Sequence, residues 1–153
     1  MNATTAIGLT VTAAQGGGGG TGGGGTGGGG TGAGPATFTG KAGTVGPWFD
    51  EDDVVLSTTV PITSLTLTIT VPATNVAFSN LYNTLTTNIA GTHTSGASIV
   101  YTFTSPPGLT ISNGGTFAAQ MSGNGTQHDH TTDSWSLTYA AGGASFSQSG
   151  RFQ

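Results

Sequence analysis

Residues 62–71 read ITSLTLTITV, and this stretch decides the fold that the sequence predicts. Apolar side chains alternate here with threonine: Leu65, Leu67, Ile69 and Val71 against Thr66, Thr68 and Thr70. Alternation with a period of two is typical of a β-strand that has one face in a core and the other in water. Pro72 then ends the strand, because proline cannot donate a hydrogen bond to a sheet ladder.

Further segments with strand character lie on both sides of this stretch, separated by turn residues. They cover residues 36–45, 54–60, 88–94, 97–104, 109–112, 116–121, 134–140 and 144–152. Residues 75–85 are less regular, and their pattern also fits one helical turn. About eight or nine short strands without a long helix predict an all-β fold, an antiparallel β-sandwich of the immunoglobulin-like or jelly-roll type.

A glycine-rich tract, GGGGGTGGGGTGGGGTGAG at residues 16–34, divides the chain. We therefore expect three parts: an N-terminal strand (1–15), a linker (16–34) and a sandwich domain (35–153). As a flexible coil the tract would span roughly 24 Å on average, and at full stretch about 65 Å. It does not predict a phosphate loop, which needs a lysine and a helix after its glycines.

The N-terminal segment also alternates, although the tract separates it from the other strands. Its apolar side chains are Ile7, Leu9, Val11 and Ala13. A lone strand has no backbone partner and no cover for its apolar row, so we expect it to dock on a sheet. The tract would allow docking on the same domain or on a neighbouring copy. Docking on a neighbour, repeated head to tail, would build a fibre.

The composition excludes several kinds of partner. Charged residues make up 5% of the chain, and Lys41 and Arg151 are its only lysine and arginine. Binding of nucleic acid or of an anionic membrane surface is therefore not expected. No stretch has the length of a membrane span. Residues 1–9 lack the pattern of a signal peptide, yet the Thr-, Ser- and Gly-rich composition favours an extracellular or cell-surface protein.

Four acids in succession form the first candidate metal site: Asp50, Glu51, Asp52 and Asp53. We expect no required cofactor, although this run could bind calcium, which prefers oxygen ligands such as carboxylates. In a strand, Asp50 and Asp52 would share one face and Glu51 and Asp53 the other. At most two or three of the four could then converge on an ion. The alternative is a solvated acidic turn that discourages edge pairing.

A second candidate metal site lies in the loop of residues 122–133. His128, His130 and Asp133 bring together side chains that ligate zinc or copper, and His93 could supply a further ligand. The alternative is a polar loop in which His128 hydrogen-bonds to the backbone.

Aromatic side chains form the third candidate site, and no catalytic pattern accompanies them. Trp48, Tyr82 and Trp135 could stack on sugar rings if they were exposed, although most aromatic residues of a sandwich belong to its core. No G-x-S-x-G elbow is present, and nothing in the sequence places two carboxylates across a cleft. We therefore expect no enzymatic activity.

Several blocks between residues 48 and 152 carry a resemblance to a known group. They are Trp48-Phe49-x-Glu51-x-Asp53, Ile62-Thr63-x-Leu65, Phe117-Ala118-Ala119-Gln120, Gly125-Thr126-x-His128, Asp133-Ser134-Trp135-Ser136 and Gly150-x-Phe152. The set resembles secreted bacterial β-sandwich modules of the cellulose-binding type, which implies a polysaccharide ligand. Such modules usually present several tryptophans in a flat row, whereas this chain has two.

Two functions follow from these observations. The first is a non-catalytic extracellular or surface protein that forms a homopolymer by adding its N-terminal strand to a neighbouring subunit. The second is a carbohydrate-binding module on a flexible glycine linker.

Overall fold

The computed structural model describes residues 34–86 and 88–153, which fold into two antiparallel sheets packed face to face. One sheet, sheet A, has the strand order β1-β2-β7-β4, and the other, sheet B, has the order β5-β6-β3-β8-β9. Within these residues, no helix reaches the length and hydrophobicity that crossing a membrane requires.

Nine strands make up the two sheets. Their bounds are β1 Ala36–Ala42, β2 Phe49–Thr58, β3 Ile62–Pro72, β4 Val76–Asn83, β5 Ala90–Ser95, β6 Ser98–Thr104, β7 Gly115–Gly123, β8 Ser134–Ala141 and β9 Ala144–Arg151. A 3₁₀ helix, His130–Thr132, lies between β7 and β8.

Strand β3 is the centre of sheet B, between β6 and β8. Its apolar row faces sheet A and is fully buried, whereas its threonine row faces outward. Leu67 pairs across the ladder with Phe103 on one side and with Leu137 on the other, so the inner residues of the three strands form one layer. Burial of each large apolar side chain contributes roughly 1.5–3 kcal/mol.

The structure confirms the all-β class and the antiparallel two-sheet arrangement. Some details of the sequence interpretation are wrong. β2 begins at Phe49 and not at Val54, so the acidic run lies inside a strand. Residues 109–112 do not form a strand and contribute only the bridge between Ile111 and Ile62. The predicted N-terminal strand and nearly all of the glycine tract, residues 1–33, lie outside the described residues.

Residues 75–85 contain strand β4 and not a helical turn. The irregular pattern has a specific cause, since the register of β4 against β7 shifts between Phe78 and Asn80. Phe78 pairs with Met121 and Leu81 pairs with Ala119, so both apolar side chains reach the inner face although they are three positions apart. A bulge breaks the period of two in this way.

The two ends of the sandwich differ in their residues, because the glycine tract enters at one end and acidic side chains lie at the other. At one end, β1 begins directly after the glycine tract, and Ala36 pairs with Thr58. At the other end, Ala42 pairs with Asp52 and the loop from β7 to β8 closes the gap between the sheets. The acidic part of β2 therefore lies at the end opposite to the tract.

The buried ring of Trp135, on β8, provides a test of how the core packs against the neighbouring strand β9. A Cβ atom on Gly150 would lie 2.7 Å from Trp135 Cζ2, which is too close for the ring to stay in place. We expect Gly150→Ala to lower the free energy of unfolding by about 1–3 kcal/mol in urea denaturation. Gly96→Ala is the matched control, since a Cβ there meets no atom within 4 Å. Equal stability of the two variants would contradict this packing.

Candidate functional site

Five ionisable side chains form a buried group, called here the Asp–His cluster. They are Asp50, Asp52, His128, His130 and Asp133. The cluster lies at the end of the sandwich that the loop from β7 to β8 covers, called below the closed end. Asp50 and Asp52 belong to the inner face of β2, in line with Val54 and Leu56, which lie in the core. The other three come from the loop between β7 and β8. Burial of so many charges is costly unless they pair with one another or bind an ion.

A capped 3₁₀ helix directs the loop residues toward β2. Asp129 is the N-cap, and its Oδ1 accepts hydrogen bonds from the Thr131 backbone N–H at 3.0 Å and from the Thr131 hydroxyl at 2.6 Å. These hydrogen bonds lower the pKa of Asp129. Asp129 stays in solvent while His128 and His130, one position away on either side, are buried. The capped turn therefore places the two imidazoles inside the protein and leaves the Asp129 carboxylate in water.

His130 lies between the two aspartates of β2. Its Nδ1 is 2.7 Å from Asp52 Oδ1, and its Nε2 is 3.3 Å from Asp50 Oδ1. The hydrogen bond to Asp52 raises the pKa of His130, against the opposing effect of burial. Asp50 Oδ1 also accepts the Gly46 backbone N–H at 3.0 Å. The imidazole thus connects the inner face of β2 to the loop that leads into β8.

Asp133 completes the cluster at the start of β8. His128 Nε2 lies 2.9 Å and 2.8 Å from its two oxygens, and His130 Nδ1 lies 3.9 Å from its Oδ2. Burial, followed by the negative charge of Asp52, raises the pKa of Asp133 to about 8. The same two aspartates, together with burial as the largest cause, raise the pKa of Tyr101 well above its ordinary value.

Two carboxylate oxygens of the cluster lack a hydrogen-bond partner among residues 34–86 and 88–153. They are Asp50 Oδ2 and Asp52 Oδ2, and both atoms are buried. An unsatisfied buried acceptor costs roughly 1–3 kcal/mol, and more when it is charged. Such groups are rare enough that each one calls for an explanation.

The other two acids of the run point away from the cluster. Glu51 Oε2 accepts hydrogen bonds from Tyr82 Oη at 3.2 Å and from Gln120 Nε2 at 2.7 Å on the outer face of sheet A. Asp53 lies 3.7 Å from Lys41, and burial, followed by the charge of Glu51, raises its pKa. The four acids therefore do not converge on one ion. The alternative of a solvated acidic turn is wrong, because all four are buried in a strand between two others.

The three candidate stacking residues occupy different environments. Trp48 is 70% exposed and lies against Gly125, and Tyr82 is 39% exposed on sheet A. Trp135 is 3% exposed and belongs to the core, so its assignment as a sugar-stacking residue is wrong. Its position in the inner row of β8 explains this outcome.

His93 is not a fourth member of the cluster. It lies on β5, where its ring stacks on Phe78 with centroids 3.4 Å apart. The assembly residues Ile7, Leu9, Val11 and Ala13 lie outside the described residues.

The sequence interpretation treated the two halves of the cluster as separate sites. A signal that joins them is present in the sequence. Asp50 and Asp52 are separated from Val54 and Leu56 by even numbers of positions, so in one continuous strand all four side chains share a face. Extending the strand backward by five residues would have placed both acids on the core face.

A comparison with protein-family models finds no match to this chain, and a comparison with curated proteins finds none either. The resemblance to cellulose-binding-type modules therefore stays a prediction.

The cluster predicts that stability falls as pH rises from about 4 to about 8. Asp133 and His130 have pKa values above their ordinary 3.8 and 6.5, so the folded protein binds more protons than the unfolded chain in this interval. Their contribution is present below the unfolded pKa and is lost as pH rises through the folded pKa. In metal-free buffer, the urea midpoint should be lower at pH 8 than at pH 5.

Two variants separate the effect of the buried cluster from that of the exposed acid beside it. Asp133→Asn should flatten the pH dependence, whereas Asp129→Asn, which changes the exposed neighbouring acid, should leave it in place. A wild-type midpoint that rises from pH 5 to pH 8 would contradict the assignment.

Proposed function

We propose that the chain is a non-catalytic structural subunit of an extracellular or cell-surface fibre. In this proposal residues 1–15 add as a strand to the sheet of a neighbouring copy, and the sandwich belongs to the immunoglobulin-like or jelly-roll type. The observation that carries the proposal is the open edge of strand β5.

Strand β5 is an edge that lacks the usual protection against pairing. All six of its residues, Ala90–Ser95, are exposed. Within the described part of the chain, β5 pairs with β6 alone. It contains no lysine, arginine, aspartate, glutamate or proline, and its register against β6 is regular. Edge strands normally carry lysine, proline or a bulge that prevents addition of a further strand.

The other three edges differ from β5 in this respect. β1 carries Lys41, and β4 carries the bulge at Phe78. β9 ends in Arg151, and its Gln148 donates a hydrogen bond of 2.9 Å to the Ala36 carbonyl of β1, which joins the two sheets on that side. β5 is therefore the edge with the fewest features that prevent pairing with an added strand.

Apolar side chains next to β5 offer a surface for the row of an added strand. Phe78, Leu81 and Leu85 are partly buried and pack against the core on the β4 side of the sandwich. Leu81 already covers Gly91 of β5, where a side chain would clash with it. If Ile7, Leu9 and Val11 were buried on this surface, each would contribute roughly 1.5–3 kcal/mol before the entropy of ordering.

The glycine tract is long enough for exchange between copies. It joins the sandwich at the start of β1, and its extended reach of about 65 Å exceeds the diameter of a domain of this size. A donor strand could therefore reach the β5 edge of the next subunit. Because the donor and the acceptor are different surfaces, the contact is heterologous and leads to an open polymer.

Charge on the acceptor edge should block assembly without unfolding the domain. We expect Thr92→Lys, on the outer face of β5, to reduce the polymer fraction in sedimentation velocity at least tenfold. Ser147→Lys is the matched control, because Ser147 is likewise exposed on an edge strand, β9. Loss of assembly in the control alone would place the acceptor at β9 and overturn the choice of β5.

Donor and acceptor variants together provide a stricter test. Leu9→Asp should disable the donor strand, and Thr92→Lys should disable the acceptor edge. Each variant alone should stay monomeric, and an equimolar mixture should give dimers but no filaments in electron microscopy. Filaments formed by the Leu9→Asp variant would refute strand donation by residues 1–15.

Polysaccharide binding is the second candidate function, and the exposure of Trp48 and Tyr82 supports it. A separate hydroxyl-rich groove of about 410 Å³ lies on the outer face of sheet B, the sheet opposite to Tyr82; its polar lining includes Thr66, Thr68, Ser136, Thr138, Ser147 and Ser149. Trp48→Ala should abolish retention on insoluble cellulose, whereas Val45→Ala, at another exposed apolar residue, should not. Absence of retention by the wild-type protein would exclude cellulose as the ligand.

A further inference from the structure

We propose that the Asp–His cluster is a structural Zn²⁺ site. Asp52, His130 and Asp133 are the ligands, and Asp50 and His128 orient them. This site is independent of strand exchange, since it lies at the end of the sandwich opposite to the glycine tract.

The geometry of the three ligands fits a small tetrahedral ion. One ligand atom from each residue lies within 4.8 Å of the other two, and all three residues are buried. Zinc binds nitrogen and oxygen at about 2.0–2.2 Å, so the ligand atoms of a tetrahedral site are about 3.3–3.6 Å apart. The distances from His130 Nδ1 to Asp52 Oδ1, 2.7 Å, and to Asp133 Oδ2, 3.9 Å, lie on either side of that value.

The surrounding contacts are those that hold metal ligands in place. With His130 Nδ1 on the ion, Nε2–H donates to Asp50 Oδ1 at 3.3 Å, and the Gly46 N–H holds that carboxylate. Zinc-binding histidines typically donate their second nitrogen to a carboxylate in this manner. His128 holds Asp133 in a corresponding way through Nε2, at 2.8–2.9 Å.

The buried oxygens of the cluster point to a cation independently of these distances. Asp52 is fully buried, and its Oδ2 has no hydrogen-bond partner among the described residues although Oδ1 contacts His130. Three carboxylates also share the cluster with only two imidazoles. A divalent cation between Asp52 and Asp133 would give the Asp52 Oδ2 atom a partner. It would also offset the excess of carboxylates over imidazoles in the cluster.

The donor set favours zinc over calcium or magnesium. Calcium takes six to eight oxygen ligands, and magnesium keeps several waters. The cluster instead offers an imidazole nitrogen and two carboxylates in an enclosed space, a set that suits zinc. The ligands come from β2 of sheet A and from the loop that enters β8 of sheet B, so the ion would cross-link the two sheets. We assign a structural role because all three ligands are buried, with an enclosed water or the second carboxylate oxygen of Asp52 as the fourth ligand of the tetrahedral ion.

Titration of the full-length chain tests the site. After removal of metal with a chelator and dialysis, calorimetry with ZnCl₂ should give one ion per chain. Saturating zinc should raise the thermal midpoint by at least about 5 °C. Long-range ¹H–¹⁵N spectra should show the imidazole resonances of His130 shifting with zinc, while those of His93, stacked on Phe78, stay unchanged.

Variants of adjacent residues provide the matched control. His130→Gln and Asp52→Asn should weaken zinc binding at least 100-fold, whereas Glu51→Gln, on the opposite face of the same strand, should leave it intact. Zinc affinity that is unchanged in His130→Gln, or absent in the wild-type protein, would overturn the proposal. So would stabilisation by calcium with no effect of zinc on the His130 resonances. If the variants fail to fold, the wild-type spectra decide the question.

Discussion

The hydrogen bond between His130 Nδ1 and Asp52 Oδ1 connects a central strand of sheet A to the loop that leads into sheet B. Asp52 occupies a position on the inner face of β2 where Val54 and Leu56, farther along, are ordinary core residues. A carboxylate at such a position is tolerated only with a partner of opposite charge or with a donor, because desolvation costs several kcal/mol per ion. The loop of residues 124–133 has to supply that partner. This requirement accounts for the capped 3₁₀ helix, the position of Asp133 at the start of β8 and the polar character of one end of an otherwise apolar core.

The two ends of the sandwich have separate roles in the proposed functions. The end at which β1 begins receives the glycine tract and thus determines where a donated strand starts its path. The opposite end contains the Asp–His cluster and ties the sheets together. Strand exchange at β5 and ion binding at the cluster share no residue, so either proposal can fail without the other. A sandwich that is cross-linked at one end would also hold its sheets in place while an edge strand is added along one side.

Much of the fold could be predicted from the sequence because the period of two is undisturbed in β6, in β8 and, from Leu65 onward, in β3. The alternation of Leu65, Leu67 and Ile69 with threonine needs no tertiary information. Prediction failed where the period is broken or masked. The bulge between Phe78 and Asn80 makes β4 resemble a helical turn, and four consecutive acids conceal the start of β2. The cluster could not be assembled from sequence for a related reason, since Asp52 and His130 are 78 positions apart and meet only through the pairing of the sheets.

The contrasting exposure of the two tryptophans gives this protein a pair of built-in optical reporters. Trp48 is largely in water beside the loop at Gly125, so its fluorescence should be red-shifted and accessible to an aqueous quencher such as iodide. Trp135 is enclosed between Gly40 and Gly150, and its emission should be blue-shifted and protected. A quencher therefore removes the emission of Trp48, which reports on the surface at the closed end. It leaves the emission of Trp135, which reports on the interior. Unlabelled protein can in this way report separately on events at its surface and on the integrity of its core.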